Sequence, residues 1–206
     1  MQAFSVVTGP AAPLLIPNVD TDTIIRVEVI SRSPEELAPY AFEVLRYLPD
    51  GTENSDFVLN QHKYRSAPIL LAGQNFGCGS SRERAVWALV GMGIRCIVAP
   101  SFGNIFLANC YQNGLLPVLL PEANIKELAL QASEDASFKV DLVTKTLGTS
   151  FGAAFDFEVD EMRRESLLQG LDEIEMTLKD MATIEAWQTR DRGTRPWVWQ
   201  PPSALV

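Results

Sequence analysis

Residues 75–83 have the sequence Asn-Phe-Gly-Cys-Gly-Ser-Ser-Arg-Glu and lie between a fully apolar run, Ile69–Ala72, and a run typical of a helix, Ala85–Val90. A short, fully apolar run is typical of a buried strand. Gly77 and Gly79 let the backbone that follows this strand turn tightly and approach a ligand closely. The sequence therefore predicts a strand, a glycine loop and a helix, with two serine hydroxyls and a guanidinium near the start of the helix.

The same alternation continues along the chain. Ile94–Ala99 and Leu115–Leu119 are two further apolar runs, and the segments 82–92 and 102–112 between the three runs favour helices. Strands that alternate with helices are typical of α/β packing. The sequence therefore predicts an α/β fold with the glycine loop at one end of a buried strand.

The remaining segments predict a single domain of residues 1–190 and a C-terminal tail of residues 191–206. Residues 26–66 show little regular periodicity, which predicts a long irregular excursion around the site. The other predicted elements are strands at 3–7 and, briefly, at 56–60, a helix start at Ser33–Leu37, helices at 122–132, 160–170 and 181–189, and a hairpin of Val140–Val143 and Phe155–Val159.

Composition limits the function. The chain has 206 residues, of which 47% are hydrophobic and 21% charged, and a net charge of −9. These values are ordinary for a globular protein, and the excess of acid argues against a nucleic-acid surface. No apolar run approaches the roughly 18 residues of a membrane span, and the N-terminus does not resemble a secretory signal. With three cysteines and no short metal-type spacing, we expect a cytoplasmic protein.

The residues of the loop point to a small organic acid. The N-terminus of a helix attracts anions, and the planar fork of Arg82 matches a carboxylate. Ser80 and Ser81 have an alternative role as caps of the helix. Asp20 and Asp22 share a turn, where carboxylates either do acid–base work or bind their own backbone. Cys78 is predicted to be a small buried side chain, and the only histidine, His62, a surface residue.

Three motifs carry a resemblance to a known family: Asn18–Ile25, Gly77–Glu83, and Ala99–Phe106 with Asn109-Cys110 and Asn113–Pro117 after it. In this order they resemble the small subunits of 3-isopropylmalate dehydratases, in the aconitase superfamily. The resemblance covers about residues 1 to 190. It implies that superfamily's swivelling β/β/α domain, with three layers, a mixed sheet and flanking helices.

The resemblance also implies a reaction and the roles of residues. It implies a hydro-lyase of leucine biosynthesis that isomerises 2-isopropylmalate and 3-isopropylmalate and is active only with a large subunit, in a heterodimer or heterotetramer. A 4Fe-4S cluster on that large subunit would bind the substrate hydroxyl, and this chain would bind no metal. The implied residues are Ser80 as base, Asp22 as a tuner of the acid that protonates the departing hydroxyl, Ser81 and Arg82 as carboxylate ligands, and Gly77, Gly79 and Glu83 as supports.

Two positions depart from the family pattern. Arg84 stands where the family usually has histidine, and Arg26 stands where it commonly has proline. Arg26 either contacts a substrate carboxylate or lies in solvent. These departures leave open the same chemistry on a methylmalate, maleate or homoaconitate type of acid. A separate alternative, of a different class, is a non-catalytic carboxylate-binding paralogue.

Overall fold

Eight short strands form two four-stranded sheets in the computed structural model, which describes residues 1–29 and 31–199. The strands are β1 (Val6–Gly9), β2 (Ala11–Leu14), β3 (Ile69–Ala72), β4 (Cys96–Ala99), β5 (Leu116–Leu119), β6 (Phe138–Asp141), β7 (Thr146–Thr149) and β8 (Ala154–Asp156). The helices are α1 (Thr21–Ile24), α2 (Glu43–Arg46), α3 (Glu83–Gly91), α4 (Asn104–Gln112), α5 (Glu122–Ser133), α6 (Glu161–Gln169), α7 (Glu173–Leu178) and α8 (Met181–Thr194).

One sheet is parallel and has the strand order β2-β3-β4-β5, and α3 and α4 are the crossovers on either side of β4. In this sheet Leu70 lies opposite Ile97, which in turn lies opposite Pro117. The carboxyl ends of parallel strands meet at one edge of the sheet, where ligands of open α/β folds commonly bind. The glycine loop follows β3 at this edge.

The side chains of β3 alternate between two hydrophobic cores. Ile69 and Leu71 pack with residues of the antiparallel sheet β1-β6-β7-β8 and of α5. Leu70 and Ala72 pack with residues of α3 and α4. Because a strand presents successive side chains to opposite faces, the parallel sheet lies between the other two layers. The predicted β/β/α, three-layer α/β fold is confirmed, with the correction that its strands divide into one parallel and one antiparallel sheet.

Two local predictions are wrong. The predicted hairpin of 140–143 and 155–159 is a three-stranded meander, because Asp141 Oδ1 accepts the N–H groups of Val143 and Thr144 and the chain reverses into β7 earlier than expected. The brief strand predicted at 56–60 is a turn of 3-10 helix, Val58–Asn60. There the Asn60 side chain donates to two backbone carbonyls and holds the turn.

The segment 26–66 contains little regular structure, as predicted. Besides α2 it contains 3-10 turns at Val27–Val29, Pro34–Glu36, Ala38–Tyr40 and Val58–Asn60. Leu37 and Phe42 are fully buried and anchor this segment to the core that contains α3 and α4. Ser33 and Glu36 form a reciprocal capping box at the predicted helix start.

The chain divides into two compact units, Met1–Gly170 and Leu171–Val206. The predicted domain end at residue 190 lies within α8, and the extent of the domain stays a prediction. In the second unit, Asp191 accepts hydrogen bonds from Arg195 Nε at 2.7 Å and Trp199 Nε1 at 2.9 Å. Trp199 therefore packs on α8, and residues 200–206 of the predicted tail lie outside the described part of the chain. None of the helices described is both long enough and apolar enough to span a membrane.

Candidate active site

The glycine loop takes a backbone path that requires glycine at two positions. Gly77 has φ +71° and Gly79 has φ +97°, in the left-handed region that other residues rarely adopt. A Cβ atom on Gly77 would overlap the ring of Phe106, which is buried in α4. The loop therefore packs directly on α4, and this contact fixes its height above the parallel sheet.

The first motif, Asn18–Ile25, is hydrogen-bonded along the glycine loop. The Gly77 N–H donates to the carbonyl of Val19 at 2.7 Å, and the Thr21 N–H donates to the carbonyl of Cys78 at 2.9 Å. The Thr21 hydroxyl donates to the Ser80 carbonyl at 3.0 Å. These bonds hold the backbone of Ser80 in place, although its side chain remains exposed.

The third motif supports the other side of the loop. The Phe76 N–H donates to the carbonyl of Ser101 at 3.1 Å, and the Gly103 N–H donates to the carbonyl of Phe76 at 2.9 Å. The rings of Phe76 and Phe106 pack edge to face at 5.6 Å. All three motifs that carry the resemblance therefore meet at the carboxyl edge of the parallel sheet.

Neither serine caps the helix. The N-cap residue of α3 is Arg82, and it makes no side-chain cap hydrogen bond. Both Ser80 and Ser81 are exposed, and the Ser80 Oγ lies 3.5 Å from Thr21 Oγ1. The geometry thus excludes the capping alternative and leaves both serines at the surface, at the start of a nine-residue helix.

Arg82 is held by residues of the first motif. Its Nη1 lies 2.5 Å from Asp22 Oδ1 and donates to the carbonyl of Ile25 at 3.1 Å. The Arg82 side chain is only 16% exposed, whereas that of Asp22 is 56% exposed. An arginine has five N–H donors, and Nε and Nη2 of Arg82 form no hydrogen bond with the residues that the structure describes, so this edge is available to a planar bidentate partner such as a carboxylate.

Asp20 has a structural role beside this pair. It is the N-cap residue of α1, and its Oδ1 accepts the Thr23 N–H at 2.7 Å. Hydrogen bonding by Thr23, through its side chain and its backbone, and the nearby Arg82 charge hold the pKa of Asp20 below its ordinary value. Of the two roles that the sequence left open for this turn, Asp20 therefore takes the structural one and binds its own backbone.

Arg26 already has acidic partners. It pairs with Glu28 at 3.3 Å and with Glu43 at 3.4 Å, and its side chain is 45% exposed. Arg26 and Val44 line two adjoining grooves, of about 300 Å³ next to Asp22 and about 720 Å³ beside Tyr40 and Tyr47. Arg26 therefore lines the groove next to Asp22 while two glutamates already pair with its guanidinium.

Glu83, one of the predicted supports, is bonded through its side chain to the end of α4 and not to Arg82. As the first residue of α3, it accepts a hydrogen bond from Asn113 Nδ2 at 2.9 Å. Asn113, at the end of α4, also accepts the indole N–H of Trp87 at 2.7 Å. Sequence reasoning assigned no role to Asn113, although it belongs to the third motif.

Arg84, where the family usually has histidine, packs on an aromatic side chain of the same helix. Its guanidinium lies 5.4 Å from the centre of the Trp87 ring, and its Nε is buried without a hydrogen-bond partner in the described part of the chain. Stacking of a guanidinium on an indole keeps the charge next to an aromatic surface. The Arg84 guanidinium therefore packs on a side chain of its own helix.

The thiols and the histidine take no part in the hydrogen bonds given above for the described residues of the site. Cys96 and Cys110 are fully buried in strand and helix, and burial raises the pKa of both thiols. Cys78, predicted to be buried, is only half-buried in the loop, and all three cysteines are free thiols. His62 is exposed, as predicted, and no hydrogen bond joins it to Ser80 among the residues described.

Comparisons with known proteins agree with this architecture. Residues 1–123 match the family model of the aconitase C-terminal domain. A 3-isopropylmalate dehydratase small subunit from Rhodospirillum centenum is 48% identical over 200 residues, which cover 96% of this chain and 98% of that protein. One from Marinobacter nauticus is 46% identical over 211 residues, which cover 97% of this chain and 98% of that protein.

A solved structure supports the same relationship. The crystal structure of a 3-isopropylmalate dehydratase from Methanocaldococcus jannaschii superposes with a TM-score of 0.65 and 25% sequence identity. The match covers 89% of this chain and 99% of that one. Similarity in sequence and in fold therefore extends over most of the chain.

Proposed function

The chain belongs to the family of 3-isopropylmalate dehydratase small subunits in the aconitase superfamily, a hydro-lyase family, and we propose that it forms a two-chain enzyme with a large subunit. The proposed reaction interconverts 2-isopropylmalate and 3-isopropylmalate by loss and return of water, in cytoplasmic leucine biosynthesis. The large subunit completes the active site in a heterodimer or heterotetramer, and the chain alone is inactive.

The observation that carries this proposal is that the site is open and has an excess of negative charge. Ser80 and Ser81 are exposed. The two guanidinium groups of Arg82 and Arg26 are accompanied by four carboxylates, those of Asp20, Asp22, Glu28 and Glu43. A dianionic acid gains little from such a surface alone, because like charges repel it. Further positive charge and the rest of the cavity have to come from a partner.

We propose that the cluster belongs to that partner, because the described residues of this chain offer no group of ligands that fits it. Among residues 1–29 and 31–199, no three His, Cys, Asp or Glu side chains are grouped as metal ligands. An iron–sulfur cluster needs several thiolates together, whereas burial favours the neutral thiol in Cys96 and Cys110. We therefore assign the 4Fe-4S cluster to the large subunit and to this chain only the steps that its own residues perform.

Ser80 is the proposed base. In its deprotonated form it takes the proton from the carbon next to a substrate carboxylate, and the electron pair of that C–H bond forms the carbon–carbon double bond. The hydroxyl of the neighbouring carbon leaves as water, with a proton supplied from the partner side of the site. Backbone N–H groups at the start of α3 and the nearby guanidinium of Arg82 favour the alkoxide of Ser80.

The other proposed roles concern binding and tuning. Arg82 binds one substrate carboxylate through its Nε and Nη2 edge, and Ser81 donates its hydroxyl to a carboxylate oxygen. Asp22 orients Arg82 and, through its exposed side, tunes the acid that protonates the departing hydroxyl. Arg26 contacts the substrate from the groove next to Asp22, where two glutamates hold it. The residues that support the loop are Gly77, Gly79 and Glu83.

The test is an anaerobic assay of this chain mixed with its cognate, cluster-loaded large subunit. Absorbance of the unsaturated acid would be followed from 3-isopropylmalate, citramalate and homocitrate in parallel. We expect activity only in the mixture, greatest with 3-isopropylmalate, abolished by Ser80→Ala and unaffected by His62→Ala as a control at an exposed site. Preference for another acid would keep the mechanism and change the substrate. An inactive, verified mixture would favour a non-catalytic carboxylate-binding paralogue.

A further inference from the structure

Asn113 connects the end of α4 to the start of α3 through three side-chain hydrogen bonds. Its Nδ2 donates to Glu83 Oε1 at 2.9 Å and to the carbonyl of Asn109 at 2.8 Å. Its Oδ1 accepts the indole N–H of Trp87 at 2.7 Å. Both protons of the amide are therefore used, and one carboxamide links two residues of α3 to the last turn of α4.

The geometry of α3 explains why one side chain reaches both of these residues. Glu83 and Trp87 are four positions apart, so their side chains lie on the same face of the helix. Asn113 is the C-cap residue of α4, and its own N–H donates to the carbonyls of Asn109 and Cys110. The bonds that Asn113 makes within α4 therefore fix its amide independently of Glu83, and the amide acts as a rigid support for Glu83.

We propose that Asn113 is a positioning residue, which sets the orientation of Arg82 through Glu83. Arg82 is the N-cap of α3 and has no side-chain cap bond of its own, and the next residue, Glu83, is bonded through its side chain to the end of α4. Glu83 is exposed, and within the described ranges its carboxylate is held by Asn113. Loss of this bond frees the first turn of α3 and with it the edge of Arg82 that is proposed to bind substrate.

The effect on Arg82 should exceed the effect on Ser80. Arg82 adjoins Glu83 directly, whereas the backbone of Ser80 is held separately by the Thr21 hydroxyl at 3.0 Å. This role of Asn113 rests on the proposed function of the site, because Asn113 acts from outside the site on Arg82, the proposed ligand of the substrate. Displacements of about 1 Å in a binding group can cost about 100-fold in rate enhancement.

The first test compares Asn113→Ala with Trp87→Phe in the complex with the large subunit. Both changes remove a hydrogen bond at Asn113, but only the first removes the bond to Glu83. We expect Asn113→Ala to raise KM for the hydroxy acid about tenfold and to change kcat less than about threefold, which corresponds to the loss of roughly one good hydrogen bond. Trp87→Phe should lower the melting temperature without changing KM. Equal KM values in the two variants would overturn the proposal.

A second test reverses the direction of the bond. Asn113→Asp places a carboxylate next to that of Glu83, and adding Glu83→Gln supplies an amide that donates to the new carboxylate. Both proteins lose the bond to the Asn109 carbonyl, so comparing them isolates the contact with residue 83. We expect the double variant to recover KM to within about threefold of the wild type, since the bond is restored with its direction reversed. A double variant no better than Asn113→Asp would overturn the proposal.

Hydrogen exchange of the full chain alone gives a result that does not depend on activity. Exchange of the amides at 80–85, measured by mass spectrometry, should be faster in Asn113→Ala than in Trp87→Phe, because the first turn of α3 opens more often. Unchanged exchange in Asn113→Ala would refute the positioning role even in an active enzyme. Faster exchange in a chain whose wild-type complex is inactive would keep the positioning role and refute the proposed reaction.

Discussion

Arg82 and Asp22 form an ion pair in which Nη1 of the arginine lies 2.5 Å from Oδ1 of the aspartate. The two residues come from different motifs, and the hydrogen bonds of Thr21 to Cys78 and Ser80 bring those motifs together. Because the same Nη1 also donates to a backbone carbonyl of the first motif, one side of the guanidinium is fixed. Asp22 therefore orients the proposed substrate ligand, in addition to its proposed role in tuning the acid.

Replacing Asp22 by asparagine removes this charge and keeps the shape of the side chain. We expect Asp22→Asn to raise KM for the hydroxy acid by up to about fivefold, because a partly exposed ion pair contributes up to about 1 kcal/mol and its loss frees Arg82. Asp135→Asn is the matched control, because it removes the carboxylate of a surface pair with Lys63. Steady-state kinetics of the two complexes test the prediction. A loss confined to kcat would assign Asp22 to proton transfer alone.

The two serines should differ in the kinetic constant that each controls. Ser80→Ala is expected to lower kcat by about 10²- to 10⁴-fold, the usual contribution of a general base, with little change in KM. Ser81→Ala is expected to raise KM, because it removes a hydrogen-bond donor to the substrate carboxylate. Both residues are exposed, so thermal unfolding of the two variants should resemble that of the wild type. The reverse pattern of kinetic constants would exchange their roles.

Gly77→Ala should destabilise the chain for two separable reasons. The new Cβ would overlap the buried Phe106 ring, and the φ of +71° is strained for alanine. We expect a loss of about 2–4 kcal/mol in the free energy of unfolding, measured by denaturant titration.

Gly93→Ala is the control for backbone strain. Gly93 has φ +93°, and no atom lies within 4 Å of the place that an added methyl group would occupy, so only the strain of about 1 kcal/mol applies. If both variants lose the same stability, the Phe106 ring moves aside and the contact with Gly77 does not fix the loop.

The N-cap carboxylate of Asp20 should make stability depend on pH. Its pKa is lower in the folded chain than in the unfolded chain, mainly through hydrogen bonding by Thr23. Its contribution is therefore fully present above the unfolded pKa of about 4 and is lost as the pH falls through the lower, folded value. Asp20→Asn keeps a side chain that can cap but does not titrate.

The measurement is the difference in unfolding free energy between the wild type and Asp20→Asn at a series of pH values. We expect the advantage of the wild type to be constant near neutral pH and to shrink as the pH falls below about 4. An advantage that persists unchanged at the lowest pH at which both chains fold would show that the carboxylate charge does not stabilise α1.

Much of the fold follows from local patterns in the sequence. The run Ile69–Ala72 forms β3 with the predicted limits, and all four residues are buried because helices and the second sheet cover both faces of the strand. The helix predicted over residues 160–170 is α6, capped by Asp160 and ended by Gly170 in the left-handed conformation. Such signals depend only on neighbours in the chain, and a sequence carries them directly.

The strands of the antiparallel sheet are harder to predict, because local patterns of hydrophobic residues do not mark all of them. Residues 146–149 include Gly148 and two threonines, so no apolar run marks β7. The strand forms because β6 and β8 pair with it on either side. Pairing of this kind is decided by the turns and by the available edges of the sheet, which a pattern of hydrophobic residues does not specify.

The sequence by itself determined the glycine loop, the alternation of β3, α3, β4, α4 and β5 and the three motifs that identify the family, because each depends on short-range spacing and on backbone preference. The tertiary structure alone decided the partners of the polar side chains. Arg82 pairs with Asp22 because hydrogen bonds hold the first motif, which contains α1, along the glycine loop, and Glu83 bonds to Asn113 because α3 packs against α4. Charge pairs of similar strength were open to many residues of this acidic chain, and only the folded geometry selects among them.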